Sequence, residues 1–454
     1  DLLEMIEEEV KQRRFAEVVR LELGPKPDPW LQQFLLDELE LQESECYEYA
    51  FGLEYKDLSA IASLNRPPLK YKPWLPAIPA PLMDEENSIF NIIRSSDLLV
   101  HHPYESFSSS VERFISTAAQ DSSVVAIKMT LYRTSDSSTL LPSLIRAAES
   151  GKQVVVLIEL KARFDEEKNI QWAQMLEKAG AHVVYGIVGL KTHGKLCLVV
   201  RQEKEEYRTY AHIGTGNYHP QTARLYTDFG LFTARPEITS EIVEVFHYLT
   251  GRSLKTDYQN IYVAPINMKT GFLQRIETEI KNAQSKKPSG IVAKMNSLED
   301  TDIIDALYKA SQAGVPIQLI VRGFSCLRAQ VAGLSENIDV ISVIGPLLEH
   351  SRVFCFRNGQ VDPIDSKIFI GSADWMSRNL LRRVEVVVPI LDRGNREKIW
   401  ESLQVLLNDQ VLTWDLKANG DYSLRHPKSD KDLGAHDLLI EKIRQRSSPF
   451  PPPL

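Results

Sequence analysis

Two side chains separated by one residue on a strand lie on the same face. A histidine and a lysine so placed can do phosphoryl chemistry: the imidazole attacks phosphorus while the ammonium holds a phosphoryl oxygen. His193 and Lys195, in GLKTHGKLCLVV, have this arrangement. His350 and Arg352, in LEHSRVFCF, repeat it with a guanidinium, whose planar fork of donors also suits phosphate. The surroundings repeat too. Gly214 follows His193 by 21 residues and Gly371 follows His350 by 21, while Asp228 and Glu385 each lie 14 residues beyond those glycines. A lone His-x-Lys would read as an ordinary strand histidine. The matched spacings instead indicate an internal duplication that brings two histidines together, with His193 as the candidate nucleophile.

Other residues could complete a phosphate site. Arg133, Arg163 and Arg322 fall at the ends of apolar strands, where open α/β sheets bind ligands. Arg322 is not the repeat mate of Arg163, because counting from Gly151 and Gly314 aligns it with Glu159. The turns Gly214–Asn217 and Gly371–Asp374 could present backbone amides to phosphate, or could be plain strand connections. Tyr226 reads either as a nucleobase platform or as a strand aromatic. The adjacent His101 and His102 suggest a metal, but no carboxylate or cysteine spacing completes a site.

The elements that must position these groups change along the chain. Residues 1 to about 64 carry apolar residues at helical spacing, and the first predicted helix runs through Leu23 to the stop at Gly24–Pro25. A Pro-rich linker, 65–81, follows. Strands and helices then alternate twice in the same order, which predicts an α/β fold with largely buried sheets. The expected divisions are a partial helical domain with linker at 1–82, a first catalytic domain at 83–262, a second at 263–426, and a tail at 427–454 that is disordered in part. At 454 residues the chain can bury more than one core, and four scattered cysteines indicate a reducing compartment without structural zinc. A net charge of −8 argues against a general nucleic-acid binder. No apolar run is long enough to cross a bilayer, and no signal peptide is evident at the start.

The motifs HHPYESF, KMTLYRT, ELKARFDEEKNI, KTHGKL, IGTGNYHP, LYTDFGLFT, LEHSRVF and GSADWMSRN, in that order, resemble the first class of bacterial polyphosphate kinases. The resemblance implies two tandem phospholipase-D-like domains preceded by a helical domain. It also implies reversible transfer of the terminal phosphate of ATP to polyphosphate through a phosphohistidine, with Mg²⁺. Carried over by motif, His193 is phosphorylated and His350 donates or accepts a proton, while Lys195 keeps the phosphoryl-holding role read from its spacing. Tyr226 then contacts the base and Arg322 the nucleotide phosphates, with His350 and Arg352 as further phosphate-binding candidates. Arg133 and Arg163 stand where the family binds phosphate and Mg²⁺. A guanidinium has no lone pair for a metal, so they are read as holding the phosphates that carry the ion. The similarity begins within the family's helical domain, so this sequence is expected to be a fragment without the N-terminal domain and its nucleotide-contacting asparagine. Expected partners are ATP or ADP and polyphosphate, in a cytoplasmic homo-oligomer, dimer or tetramer; peripheral membrane association stays open.

The runner-up is a phosphodiesterase or phosphatidyltransferase of the phospholipase D superfamily, whose motif is His-x-Lys-x4-Asp. The acid position is Val200 in the first copy and Arg357 in the second, which counts against diester hydrolysis. A non-catalytic phosphate scaffold would be expected to lose His193 or Lys195, and neither is lost.

Overall fold

The computed structural model describes residues 17–50, 57–84, 86–132, 138–159, 166–187, 189–253, 257–429 and 431–447. The chain divides into two compact units, Asp1–Trp74 and Leu75–Leu454. In the first, β1 (Leu21–Leu23) pairs in parallel with β2 (Cys46–Glu48), and the unit also holds the helices α1 (Pro29–Glu38) and α2 (Leu58–Ser63). Asp28 starts α1 by accepting the Leu31 N–H at 3.0 Å, and Pro29 takes the first position, where no N–H is needed. The helix predicted through Leu23 is corrected at its end. Leu-Glu-Leu also alternates with a period of two, and its backbone finds a partner in β2. Residues 1–16 of that predicted helix lie outside the described residues.

The second unit holds the duplication. Its first half runs α3 (Ile89–Ser95), β3 (Leu98–His102), α4 (Arg113–Gln120), β4 (Val124–Leu131), α5 (Leu140–Glu149), β5 (Gln153–Ile158), α6 (Glu166–Lys178), β6 (His182–Val184), β7 (Lys191–Thr192), β8 (Lys195–Glu203), β9 (Glu206–Gly214), β10 (Tyr226–Thr233) and α7 (Pro236–Leu249). The second runs β11 (Tyr262–Ala264), α8 (Met268–Gln284), β12 (Ile291–Met295), α9 (Thr301–Gln312), β13 (Ile317–Val321), β14 (Ile338–Val343), β15 (Leu348–Glu349), β16 (Arg352–Phe356), β17 (Lys367–Gly371), α10 (Ser377–Leu381), β18 (Arg383–Pro389) and α11 (Arg393–Asn408). The chain closes with β19 (Thr413–Leu416), β20 (Tyr422–Leu424) and α12 (Ala435–Ser447).

Each half builds one mixed sheet. The first has the order β10-β9-β8-β4-β5-β6, with β3 also on β10; the second runs β11-β18-β17-β16-β12-β13-β14-β19-β20. The short strands before the two histidines cross over. β7 pairs in parallel with β18, Thr192 beside Val384, and β15 pairs in parallel with β10, Glu349 beside Thr227. Each half thus lends a strand to the other's sheet.

The two sheets also share a core. Leu196, Leu198, Ala211 and Ile213 of the first half pack in one cluster with Val353, Ile368, Ile370 and Val386 of the second. These strands read as near-continuous apolar runs because both of their faces are covered. Cys197 and Cys355 are buried strand residues, and burial pushes both thiols up, which makes them inert. The expected tail, 427–454, contains one further helix. Residues 435–447 form α12, which buries Ala435, His436, Leu439 and Ile443; residues 448–454 lie outside the described residues. No helix among the described residues is long and apolar enough to cross a membrane.

Candidate active site

The strand exchange carries each histidine to an acid of the opposite half. The Val384 carbonyl accepts the N–H groups of His193 and Gly194, both at 2.9 Å, so His193 is pinned to β18. Its Nδ1 lies 2.9 Å from Glu385 Oε2. In mirror fashion, His350 Nδ1 lies 2.9 Å from both carboxylate oxygens of Asp228. The acids noted at equal spacing in the sequence therefore pair crosswise: Glu385 with His193, Asp228 with His350.

Cations separate the two pairs. Lys195 is buried and donates to the His193 carbonyl, with its ammonium 5.6 Å from the Tyr132 ring. Tyr132 stands edge-on to His193 at 5.3 Å. Arg352 is buried and bonds Asp374 through Nε and Nη2, each at 3.2 Å, while Nη1 donates to the His350 carbonyl at 2.8 Å and lies 3.1 Å from His350 Nε2. Asp374 also accepts the Asn296 N–H at 2.7 Å. Tyr226 lies 5.2 Å from His350, ring to ring. Arg322 is half-buried, and its Nε donates to the Glu349 carbonyl at 2.9 Å. Arg133 and Arg163 fall outside the described residues.

The environments pull the two pairs apart. Burial lowers His193 well below the ordinary imidazole value, reinforced by Lys195, Arg383 and Arg352, so the ring is neutral; an ionised Glu385 then holds the proton on Nδ1 and leaves the lone pair on Nε2. Burial also lowers His350, against the opposing pull of Asp228. Burial pushes the Glu385 carboxyl up to about 7 despite Lys195 and Arg383. Burial would raise Asp228 too, but His350, Thr215 and Arg352 outweigh it and leave it an ordinary anion. Burial lowers Lys195 well below the usual ammonium range, partly countered by Glu385.

Several sequence readings change on contact with this geometry. The amides of Thr215 and Ser372 go to the Phe229 and Val386 carbonyls, and that of Asp374 goes to Asn379 Oδ1 at 3.1 Å. Those three are strand connections rather than phosphate cradles. Gly216 is required for another reason: a Cβ there would stand 2.1 Å from Asp228 Oδ2. His101 stacks on Phe229 at 4.0 Å and His102 Nδ1 bonds the Glu105 carbonyl, so both are core histidines. No group of three or more His, Cys, Asp or Glu among the described residues could hold a metal ion. Arg322 and Glu159, aligned by the repeat, do equivalent work with opposite charge. Glu159 Oε2 accepts the Thr192 N–H at 2.7 Å just before His193, whereas Arg322 donates to the Glu349 carbonyl just before His350. Sequence reasoning missed Asn296, Tyr132, Glu349 and Lys294, which carry no spacing signal.

Arg352 and Asp374 give a stability test. Burial would raise the Asp374 carboxyl, yet Arg352 and the Asn296 N–H hold it at about 2 instead of 3.8. Its folded value lies below its unfolded one, so the pair's contribution is complete above pH 3.8 and lost as pH falls through about 2. Asp374→Ala strands a buried guanidinium and is expected to cost about 3–5 kcal/mol, read as a lower urea midpoint at pH 7.

A duplicated α/β core thus brings two acid-paired histidines together with the buried Lys195 and Arg352. Family models match it along its length: the polyphosphate kinase middle domain at 1–61, C-terminal domain 1 at 88–255 and C-terminal domain 2 at 261–435. The chain belongs to the polyphosphate kinase family. A polyphosphate kinase from Thermosynechococcus vestitus is 47% identical over 97% of this chain and 63% of its own length. One from a Synechocystis species is 52% identical over 97% of the chain and 62% of its own. The crystal structure of polyphosphate kinase from Porphyromonas gingivalis superposes with a TM-score of 0.82 at 31% identity, covering 94% of this chain and 65% of that one. The chain thus spans less than two thirds of the length of these relatives.

Proposed function

We propose that this chain carries the phosphotransfer centre of a polyphosphate kinase, moving the γ-phosphoryl group of ATP to the end of a polyphosphate chain through His193. The observation that carries the reading is the crossed pairing, because it frees Nε2 of a neutral His193 while Glu385 holds Nδ1–H. In the first step Nε2 bonds to the γ-phosphorus and the bond to the bridging β–γ oxygen breaks, releasing ADP. The positive charge that develops on the imidazole is balanced by Glu385. A terminal polyphosphate oxygen then takes the phosphoryl group and restores His193, and the reverse sequence makes ATP. Arg352 is placed to spread phosphoryl charge, and His350, held by Asp228, to move a proton at the bridging oxygen. Tyr226 and Arg322, beside His350, are assigned to the base and phosphates of the nucleotide.

The site's described carboxylates do not fit a resident Mg²⁺. Asp228, Asp374, Glu385 and Glu349 are each committed to a histidine, arginine or lysine. The ion is therefore assigned to the substrate, bound to the nucleotide's phosphates, with Arg133 and Arg163 taken to grip those phosphates by resemblance. A cytoplasmic setting follows from the ATP donor.

The test is incubation with γ-labelled ATP and Mg²⁺. The expected product is protein-bound label, stable in alkali, labile in acid and mapped to His193, which chases into polyphosphate. Label on another residue, or none from either ATP or labelled polyphosphate, would sink the reading.

A further inference from the structure

The tail helix α12 reaches the second histidine through one side chain. His436 is fully buried; its Nε2 donates to Glu349 Oε1 at 2.8 Å, and its Nδ1 faces the Leu347 N–H at 3.4 Å. A neutral imidazole with its proton on Nε2 satisfies both contacts. Gly345 makes room for the ring, since a Cβ there would stand 2.8 Å from His436 Nδ1. One imidazole therefore closes over residues 345–349, which lead directly into His350. The helix is anchored at its start, where the Ala435 N–H donates to Asp409 Oδ1 at 2.7 Å.

Glu349 passes this restraint on. Its Oε2 accepts the Thr227 hydroxyl at 2.8 Å and pairs with Lys294 at 2.9 Å, and Lys294 donates also to Ser351 Oγ at 2.7 Å. Thr227 Oγ1 in turn faces the His350 N–H at 3.3 Å. Residues on both sides of His350 are thus held in one buried network, whose member from outside the duplicated strands is His436. The first half is built differently: Thr192 occupies the position of Glu349, and its N–H goes to Glu159.

We propose that His436 is a positioning residue for His350, acting through Glu349. Its expected effect on turnover rests on the phosphotransfer reading above. The position of the ring does not, so it is tested separately. With imidazole Cε1 labelled by ¹³C, His193 and His350 are titrated by NMR in wild type, His436→Leu, His436→Gln and His436→Asn. Burial lowers the His350 titration, Asp228, Arg352 and Lys195 face it with their charges, and the Tyr226 ring packs beside it. In His436→Leu the His350 titration is expected to move while that of His193 stays. Glutamine reaches Glu349 with its amide and is expected to restore the wild-type curve. Asparagine reaches only toward Leu347 and serves if the leucine variant does not fold. Turnover is expected to fall about tenfold to a hundredfold in the leucine and asparagine variants and to recover with glutamine, as for residues that orient a reacting group. An unchanged His350 curve in folded His436→Leu or His436→Asn, an equal shift of His193, or identical behaviour of glutamine and asparagine would overturn the proposal. A shifted curve in a wild-type background that transfers no phosphate would leave the positioning role standing and remove the phosphotransfer reading.

Discussion

His193→Ala is expected to abolish acid-labile labelling and to lower ATP-dependent polyphosphate synthesis by at least about 10³-fold, as loss of a nucleophile does. The substitution removes the proposed nucleophile and leaves Glu385 buried beside Lys195, with Arg383 3.7 Å away. The protein still folds on the shared core, because His193 contributes none of that core's apolar residues. Synthesis that survives in this variant would mean that phosphate passes directly from nucleotide to polymer. His350→Ala separates the roles further. It keeps His193, so slow labelling of that residue is expected to persist where His193→Ala gives none.

The second large effect is a pH dependence set by Glu385. As a carboxylate it accepts Nδ1–H and leaves the Nε2 lone pair open. Once protonated it donates to Nδ1, which moves the ring proton to Nε2 and blocks attack. Burial has raised this carboxyl to about 7, so labelling of His193 should rise through that value and level off above it. Below it the rate falls about tenfold per pH unit, as for a single required deprotonation. The midpoint belongs to the histidine–glutamate pair rather than to either group. In Glu385→Gln the amide oxygen can still accept Nδ1–H but carries no charge. The acid limb should then vanish, and the plateau should drop by about 10²–10³-fold as the forming imidazolium loses its counter-charge. Rapid-quench labelling from pH 6 to 8.5 reads both effects. An acid limb that persists unchanged in the variant would assign it to another group.

The parts of this molecule that were legible in the sequence are those written in local spacing. His-x-Lys, His-x-Arg, the glycine turns and the two acids recur at identical offsets, so the duplication could be read from residue numbers alone. The partner of each acid could not. Asp228 and Glu385 sit at equivalent positions whether a half pairs with itself or with its neighbour, and only the exchange of β7 and β15 decides it. Leu21–Leu23 was misread because three residues satisfy a helical and an extended period equally well. The tail helix was overlooked although Ala435, Leu439 and Ile443 recur every fourth residue, because it matches no motif. Glu349 and Lys294 could not have been found, since a buried ion pair leaves no periodicity behind it.

The exchanged strands also bear on descent. A single-copy ancestor with this topology could not have paired its own histidine with its own acid; it needed a second molecule to lend the strand. Two such copies related by a twofold axis would complete each other's centre, and joining them in one chain lifts the symmetry requirement. Each copy was then free to drift, and the drift is preserved as lysine against arginine after the histidine, glutamate against arginine behind it, and threonine against glutamate before it. The two halves of the site are therefore no longer equivalent: one is built on threonine and lysine, the other on glutamate and arginine.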